Sequence, residues 1–171
     1  MRIFLLAIIF LIGSLGSVLA QPLQNHAVPS SNYSVDYPPA WSLKNTNFAS
    51  SFWLYNENVP DPKAENVHIV PISLTHSTGF DMVALMARHQ VESDYPLLSL
   101  KTSKEIKIPK MDLAHRFEYA GEHNGKPFHL LQVLMRKDDT AYRITFGAND
   151  AEWKKHLPAV ERMVNSFKYI P

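Results

Sequence analysis

The chain has 171 residues, no cysteine and a nearly balanced charge, with 17 Lys and Arg residues against 16 Asp and Glu. Because such a chain carries no field of one sign, its charge argues against nucleic acid as a partner. The lack of cysteine excludes disulfides, thiol catalysis, cysteine-based metal sites and a lipidated cysteine, so the fold must depend on its core alone.

Residues 1–20 have the pattern of a secretory signal peptide. Arg2 precedes an apolar run from Ile3 to about Leu19, and the small residue Ala20 follows it. This order predicts cleavage after Ala20 and export to the periplasm or the outside of a bacterial cell, with no stable membrane insertion afterwards. An uncleaved anchor is the alternative, because the run approaches the roughly 20 apolar residues that span a bilayer.

Export would leave residues 21–171 as the mature chain, which is long enough to bury a substantial core. Residues 21–32 are mostly polar and include Pro22 and Pro29, a composition that predicts a flexible leader. We therefore expect a single domain over residues 33–171.

The segment YSVDYPPAW predicts a strand, an enforced corner and an aromatic plug. Tyr33, Val35 and Tyr37 alternate with polar residues, which is the period of a half-buried strand. Two prolines follow, and because they cannot donate ladder hydrogen bonds, strand pairing must stop there. Trp41 lies just past this corner, where its ring can cover the end of the core.

Two strands and a helix are predicted next. Ser50–Asn56 is apolar and aromatic on both alternating faces, and Val67–Leu74 is a second strand in which Pro71 indicates an edge or a bulge. Between Phe80 and Glu92 the period changes to that of an amphipathic helix. Its apolar stripe consists of Phe80, Val83, Ala84, Ala87 and Val91.

The following region predicts an antiparallel meander. After an ambiguous stretch that contains a short strand at Glu105–Ile108, three further strands are predicted at Asp112–Ala120, Pro127–Lys137 and Ala141–Gly147, of which the first and third alternate. Short turns join them, including an Asn-Gly turn before the second segment. The second segment is apolar on both faces, which favours a central position in the sheet.

A second helix is predicted from the Asn149/Asp150 cap to the end of the chain. Its apolar stripe consists of Trp153, Leu157, Val160, Val164 and Phe167. Pro158 lies inside this stripe and predicts a kink or a second helical piece. Taken together, these elements predict an α+β fold in which helices flank a mainly antiparallel sheet.

Histidines are the residues from which a metal site could be built. His123 and His129 flank the Asn-Gly turn beside Glu122, and His68 and His76 bracket the end of a strand. Neither spacing is diagnostic, so the sequence favours ordinary surface or hydrogen-bonded histidines, and we predict no metal and no cofactor.

Other chemistry-bearing residues lack a signature of catalysis. His115 lies on the apolar face of its strand, which is more typical of a hydrogen-bonded core histidine than of a catalytic base. The pairs Glu118 with Glu122 and Asp138 with Asp139 fit solvated and turn-forming roles better than acid/base catalysis. No nucleophile elbow, metalloprotease helix, P-loop or dinucleotide fingerprint is present.

An aromatic pair is the best candidate for a contact surface. Trp53 and Tyr55 alternate with Phe52 and Leu54 and therefore share one face of the predicted strand. If no helix covers this face, the two rings form a surface that another protein can bind, while core packing is the alternative.

Three segments resemble the PsbP-like superfamily. They are the opening YSVDYPPAW, the strand-to-cap junction YRITFGAND and the terminal AEWKKHLPAVERMVNSFKY with its Ser166–Phe167 pair. The resemblance implies an α/β/α sandwich around an antiparallel sheet. It brings no shared catalytic residues, because family members of known function mostly act in binding, assembly or accessory roles.

We therefore expect an exported, non-catalytic binding or accessory protein whose partner is another protein. One alternative is a hydrolase or metal-dependent enzyme built from dispersed histidines and acids. Another is a carrier of lipids or small ligands, which would need an apolar cavity between sheet and helices.

Overall fold

The computed structural model describes residues 22–46, 49–53, 66–75 and 78–171. Within these ranges the chain forms two α-helices and ten strands. The elements are β1 (Gln24–Val28), β2 (Tyr33–Tyr37), β3 (Ser42–Thr46), β4 (Ala49–Trp53), β5 (Asn66–Ser73), α1 (Phe80–Asp94), β6 (Leu98–Glu105), β7 (Leu113–His123), β8 (Lys126–Lys137), β9 (Thr140–Asn149), α2 (Asp150–Ser166) and β10 (Lys168–Tyr169).

The strands form two antiparallel sheets. The large sheet has seven strands in the order β3-β4-β5-β9-β8-β7-β6, and the small sheet has the order β1-β2-β10. Strands β7, β8 and β9 are consecutive neighbours joined by short turns, so the predicted meander is confirmed. β8 lies well inside the sheet, as its apolar character on both faces predicted.

A separate hydrophobic core lies on each face of the large sheet. On one face, α1 packs on residues of β7 and β8, with Phe117 and Leu134 among them. On the other face, α2 and the small sheet pack on residues such as Val133 and Ile144. The predicted α+β class, with helices flanking an antiparallel sheet, is thereby confirmed.

The opening strand and its corner have the predicted form. β2 ends at Tyr37, and the amide of Trp41 donates to the carbonyl of Pro38 at 3.0 Å, which closes the turn. The Trp41 side chain is only 7% exposed and belongs to the core on the α2 side. An aromatic ring therefore covers this core just beyond the corner, as expected.

The predicted flexible leader differs from the structure. Residues Gln24–Val28 form β1, which pairs with β2 along its whole length, and a short 3-10 turn at Pro29–Ser31 joins the two strands. Pairing satisfies the backbone groups on one side of β2, which would otherwise be an edge. The polar sequence QNHAV carries no alternating apolar signal, so local pattern could not indicate this strand.

Two further strands also differ from prediction. Ser42–Thr46 forms β3, which the sequence did not suggest, and the predicted strand at Glu105–Ile108 is replaced by β6 at Leu98–Glu105. Ile108 is nevertheless buried in the core on the α2 side, although it lies outside any strand. The apolar character of Ile108 therefore reflects its burial and not a strand conformation.

The two internal prolines occupy different kinds of position. Pro71 lies in the half of β5 that continues past the pairing with β4, which ends at Ile69, so the predicted edge position is correct locally. Pro158 lies on the exposed side of α2, and the helix runs through it from Asp150 to Ser166 without the predicted second piece.

The N-terminus of α2 is capped as the sequence predicted. The Asn149 side-chain oxygen accepts from the backbone amides of Ala151 and Glu152 at 3.1 and 3.2 Å. Asp150 and Glu152 add negative charge to the first turn, where it interacts favourably with the helix dipole.

Replacing the cap should weaken the whole fold, because α2 covers one of the two cores. We expect Asn149→Ala to lower the free energy of unfolding by about 1 kcal/mol in urea titrations followed by circular dichroism. Asn149→Asp keeps an accepting oxygen and is the matched control. An Ala variant as stable as the parent would contradict this role of the cap.

Candidate functional site

A row of polar side chains crosses the large sheet on the face that carries α1. Strand register pairs Ser51 with His68, His68 with Thr145, and Thr145 with Gln132. Directly paired residues of antiparallel strands point to the same face, so these four side chains are neighbours. The next residue in the row, Phe117, belongs to the core beneath α1, and the row thus runs from polar to buried apolar surroundings.

His68 is the titratable member of this row. Its Nδ1 atom and the Ser51 hydroxyl are hydrogen-bonded at 2.8 Å. Burial lowers the pKa of His68 below 6.5, and the positive charge of Arg143 lowers it further. The imidazole is therefore predominantly neutral at neutral pH and can both donate and accept.

A cleft of about 590 Å³ opens beside His68 and Thr145 of this row, at the C-terminus of α1. Five parts of the chain contribute to it: β5, β8, β9, the end of α1 and the β7–β8 turn. The lining residues are Asn66, His68, Asp94, Tyr95, His123, Asn124, Phe128, Leu130, Thr145 and Gly147. Polar groups that are distant in sequence thus converge over an apolar floor, as is typical of binding sites.

Three rings form one wall of the cleft. Tyr95 stacks on Phe128 with 5.7 Å between ring centroids, and His123 contacts both rings at 5.0 and 5.2 Å. Phe128 lies close against Gly147, where an added Cβ would come within 2.9 Å of the ring. A side chain at position 147 would therefore displace this wall.

Arg143 lies farther along the same flank of α1. Its NH1 group donates to the Gln90 side chain of α1 at 2.7 Å. Together with Ile72, Thr78, Val83, Met86 and Ala87, these two residues line a second depression of about 370 Å³. The α1 flank of the sheet therefore carries two depressions in line, one with a mixed polar and apolar lining and one with a mainly apolar lining.

The predicted aromatic surface is only partly within the described residues. Trp53 is the last residue of β4 and pairs in register with Asn66, which lines the cleft. The side chain of Trp53 and the whole of Tyr55 lie outside the described part of the chain. The prediction that these two residues bind a partner is therefore still a prediction.

The predicted histidine groupings are divided by the sheet. His123 belongs to the aromatic wall on the α1 side, whereas His129 stacks on Trp153 of α2 at 5.1 Å. His68 lies in the same cleft as His123, and His76 is outside the described residues. In the ranges that the structure describes, no three His, Asp or Glu side chains are placed to hold one metal ion.

Other residues considered from the sequence have structural partners. His115 lies on Phe117 with 4.6 Å between centroids and shares a hydrogen bond with Ser103, but it is half-buried and belongs to neither core, so only the hydrogen-bonded part of the prediction is met. Glu118 accepts from Arg116 at 2.6 Å in an ion pair. Asp138 lies in the turn after β8, as predicted.

Sequence reasoning missed most of the residues that line the cleft. Asn66, Thr145 and Asp94 have no local motif, and only long-range register brings them together. Two signals were available, since Gln132 interrupts the apolar segment FHLLQVLM and Arg143 belongs to the alternating segment YRITF. A polar residue inside a strand that is otherwise buried is a candidate for a binding role.

The lowered pKa of His68 should make folding stability depend on pH. Because the unfolded chain binds a proton near pH 6.5 and the folded one binds it at lower pH, stability should fall as pH decreases from about 6.5 through the folded-state pKa. We expect His68→Asn to flatten this dependence in urea unfolding measured from pH 7.5 to 5. His156, whose pKa burial also lowers, should add a separate part, removable by His156→Asn.

If the stability of the parent and of His68→Asn changed equally with pH, the pKa of His68 would not be lowered in the folded protein. Among the described residues, Arg143 on β9 acts on its charge, and Asp94 and Tyr95 at the end of α1 and His123 at the β7–β8 turn line the same cleft. Substituting Asp94 by Asn is the matched control for a change of charge at the rim of the cleft.

The fold was compared with solved structures. PsbP of Synechocystis sp. PCC 6803 (CyanoP) matches with a TM-score of 0.63 at 14% identity, over 92% of this chain and 98% of that chain. LpqN of Mycobacterium tuberculosis, described as involved in cell envelope biogenesis, matches with 0.58 at 15% identity, over 87% and 92%. PA94 of Pseudomonas aeruginosa, described as a putative regulator, matches with 0.52 at 16% identity, over 88% and 99%.

At these identities the structures show a shared fold alone. Comparison with curated protein sequences gave no match. The model of the family described as PsbP-like protein, however, matches residues 21–169, which include every strand and helix described above. The chain therefore belongs to the PsbP-like protein family.

Proposed function

We propose that this chain is an exported, non-catalytic accessory protein that binds another protein at the open flank of α1. The observation that supports the proposal is the convergence of five parts of the chain on one cleft beside Asn66. That residue pairs with Trp53, the first member of the aromatic pair identified from sequence. The backbone of Trp53 therefore lies beside the cleft.

The character of the flank fits a protein partner. Aromatic rings, neutral polar groups and the carboxylate of Asp94 line the cleft, and the neighbouring depression is mainly apolar. Met86, at the rim of that depression, is 59% exposed. Mixed apolar and polar surfaces of this kind are typical of the core and rim of protein interfaces.

Relatives favour the same role without establishing it. The protein belongs to a family whose characterised members mostly act in binding or accessory roles, and two of its structural neighbours are described by regulatory or envelope roles. Neither α1 nor α2, the helices of the described residues, has the length and hydropathy to cross a bilayer. Export itself rests on the pattern of residues 1–20, which lie outside the described ranges.

The proposal is tested by affinity capture from envelope extracts of the native host with residues 21–171 as bait. We expect a specific partner to be retained by the parent and reduced about tenfold or more by the Trp53→Ala/Tyr55→Ala variant, because aromatic anchors dominate interfaces. Circular dichroism and urea unfolding would first establish that the variant is folded.

The matched control is Leu113→Ala, which removes a 39% exposed apolar side chain at the opposite end of β7 from the cleft. Equal capture by the parent and both variants would overturn the proposed surface. Capture of no specific partner would overturn the accessory role, and metal analysis and ligand screening would then address the enzyme and carrier alternatives.

A further inference from the structure

Arg143 is a cation that lacks an anionic partner in the described part of the chain. Its guanidinium donates to the neutral side chain of Gln90, and no ion pair with a described carboxylate is formed. Its Nε atom is buried without a hydrogen-bond partner among the described residues. A partly buried charge in this state is costly unless something else pairs with it.

The pKa of Arg143 is also consistent with a partly buried charge that lacks an anionic partner. Burial lowers the pKa of its guanidinium, and the charge of Asp94 opposes that effect only from a distance. Arginine is still fully charged at neutral pH, so its surroundings must accommodate the charge.

A second polar atom without a partner lies nearby on the same face. Gln132 is 3% exposed, and its Oε1 atom has no hydrogen-bond partner in the described residues. It pairs in register with Thr145, two residues from Arg143 along β9. Two polar atoms without a hydrogen-bond partner among the described residues, Arg143 Nε and Gln132 Oε1, thus lie on the sheet face between the two depressions.

The shape of this flank suits an extended segment. Asn66 and His68 on β5 border the cleft at the C-terminus of α1, and Ile72 on the same strand borders the apolar depression. The six-residue step from Asn66 to Ile72 corresponds to about 20 Å of strand. Arg143 lies between these ends, since its register partner on β5 is Val70.

We propose that the groove along α1, formed by the two depressions, binds an extended segment of the partner protein that carries an acidic side chain next to apolar ones. The carboxylate pairs with Arg143, whose planar guanidinium favours carboxylates in bidentate geometry. An adjacent apolar side chain packs against Ile72, Val83 and Met86, where the methionine can adapt its shape. The inference rests on the proposed function and names the chemistry of its partner.

The test uses a phage-displayed library of random twelve-residue peptides, selected against residues 21–171. We expect enriched peptides to share an Asp or Glu flanked by apolar residues. Synthetic copies should bind the parent and lose about tenfold or more in affinity for Arg143→Gln, measured by fluorescence anisotropy. Replacing the shared acid by its amide should cause a similar loss with the parent, and no additional loss with Arg143→Gln.

A pair of surface variants makes the test independent of the stability of Arg143→Gln. Met86→Glu places a carboxylate at the rim of the groove, and because Met86 is 59% exposed, the fold should tolerate it. Met82→Glu adds the same charge one turn earlier on α1, at a 47% exposed residue that does not line the groove. We expect Met86→Glu to lose peptide binding and Met82→Glu to keep it.

Several results would overturn the inference. They are enrichment of no peptide, enrichment of peptides without an acid, and equal binding by the parent, Arg143→Gln and Met86→Glu. The affinity capture separates this failure from that of the proposed function. A native partner retained equally by the parent, Arg143→Gln and Met86→Glu would refute the acidic segment and leave the accessory role intact.

Discussion

The structure depends on burying both faces of β8. Alternate side chains of this strand enter opposite cores, with Leu130 and Leu134 on the α1 side and Leu131 and Val133 on the α2 side, all at most 2% exposed. A strand that is apolar on both faces is stable in water only when each face is covered. The two helices therefore have to lie on opposite sides of the sheet, and β8 needs a neighbouring strand on each edge.

The two faces of the large sheet are covered to different extents. On one face, α2 is joined by the small sheet, and rings of Tyr33, Tyr142 and Phe167 lie within 5.1–5.8 Å of one another. The hydroxyl of Tyr142 donates to the carbonyl of Ser31 at 3.0 Å, and burial raises its pKa to about 12. The helix α2 and the three strands of the small sheet thus cover this face together.

On the opposite face, α1 is the helix of the described residues that covers the sheet. Seven strands spaced by about 4.8 Å extend over about 29 Å, whereas one helix with its side chains is about 10–12 Å wide. Within the described residues, a single helix over β7 and β8 therefore leaves part of β5 and β9 without a helix above it. His68, Thr145 and Arg143 lie on this part and line the two depressions. The location of the candidate site follows from this difference in width.

The sequence by itself determined the elements with strong periodicity: β2 with its proline corner, α1, the meander and α2 with its Asn149 cap. It also determined the family, because YSVDYPPAW and the terminal helix are local patterns. Only the tertiary structure decided that polar residues 24–28 pair as β1, that His123 and His129 face opposite sides, and that His68, Thr145 and Arg143 lie together. Periodicity reports which side of its own element a residue occupies, whereas neighbours across a sheet are set by register between strands that are far apart in the chain.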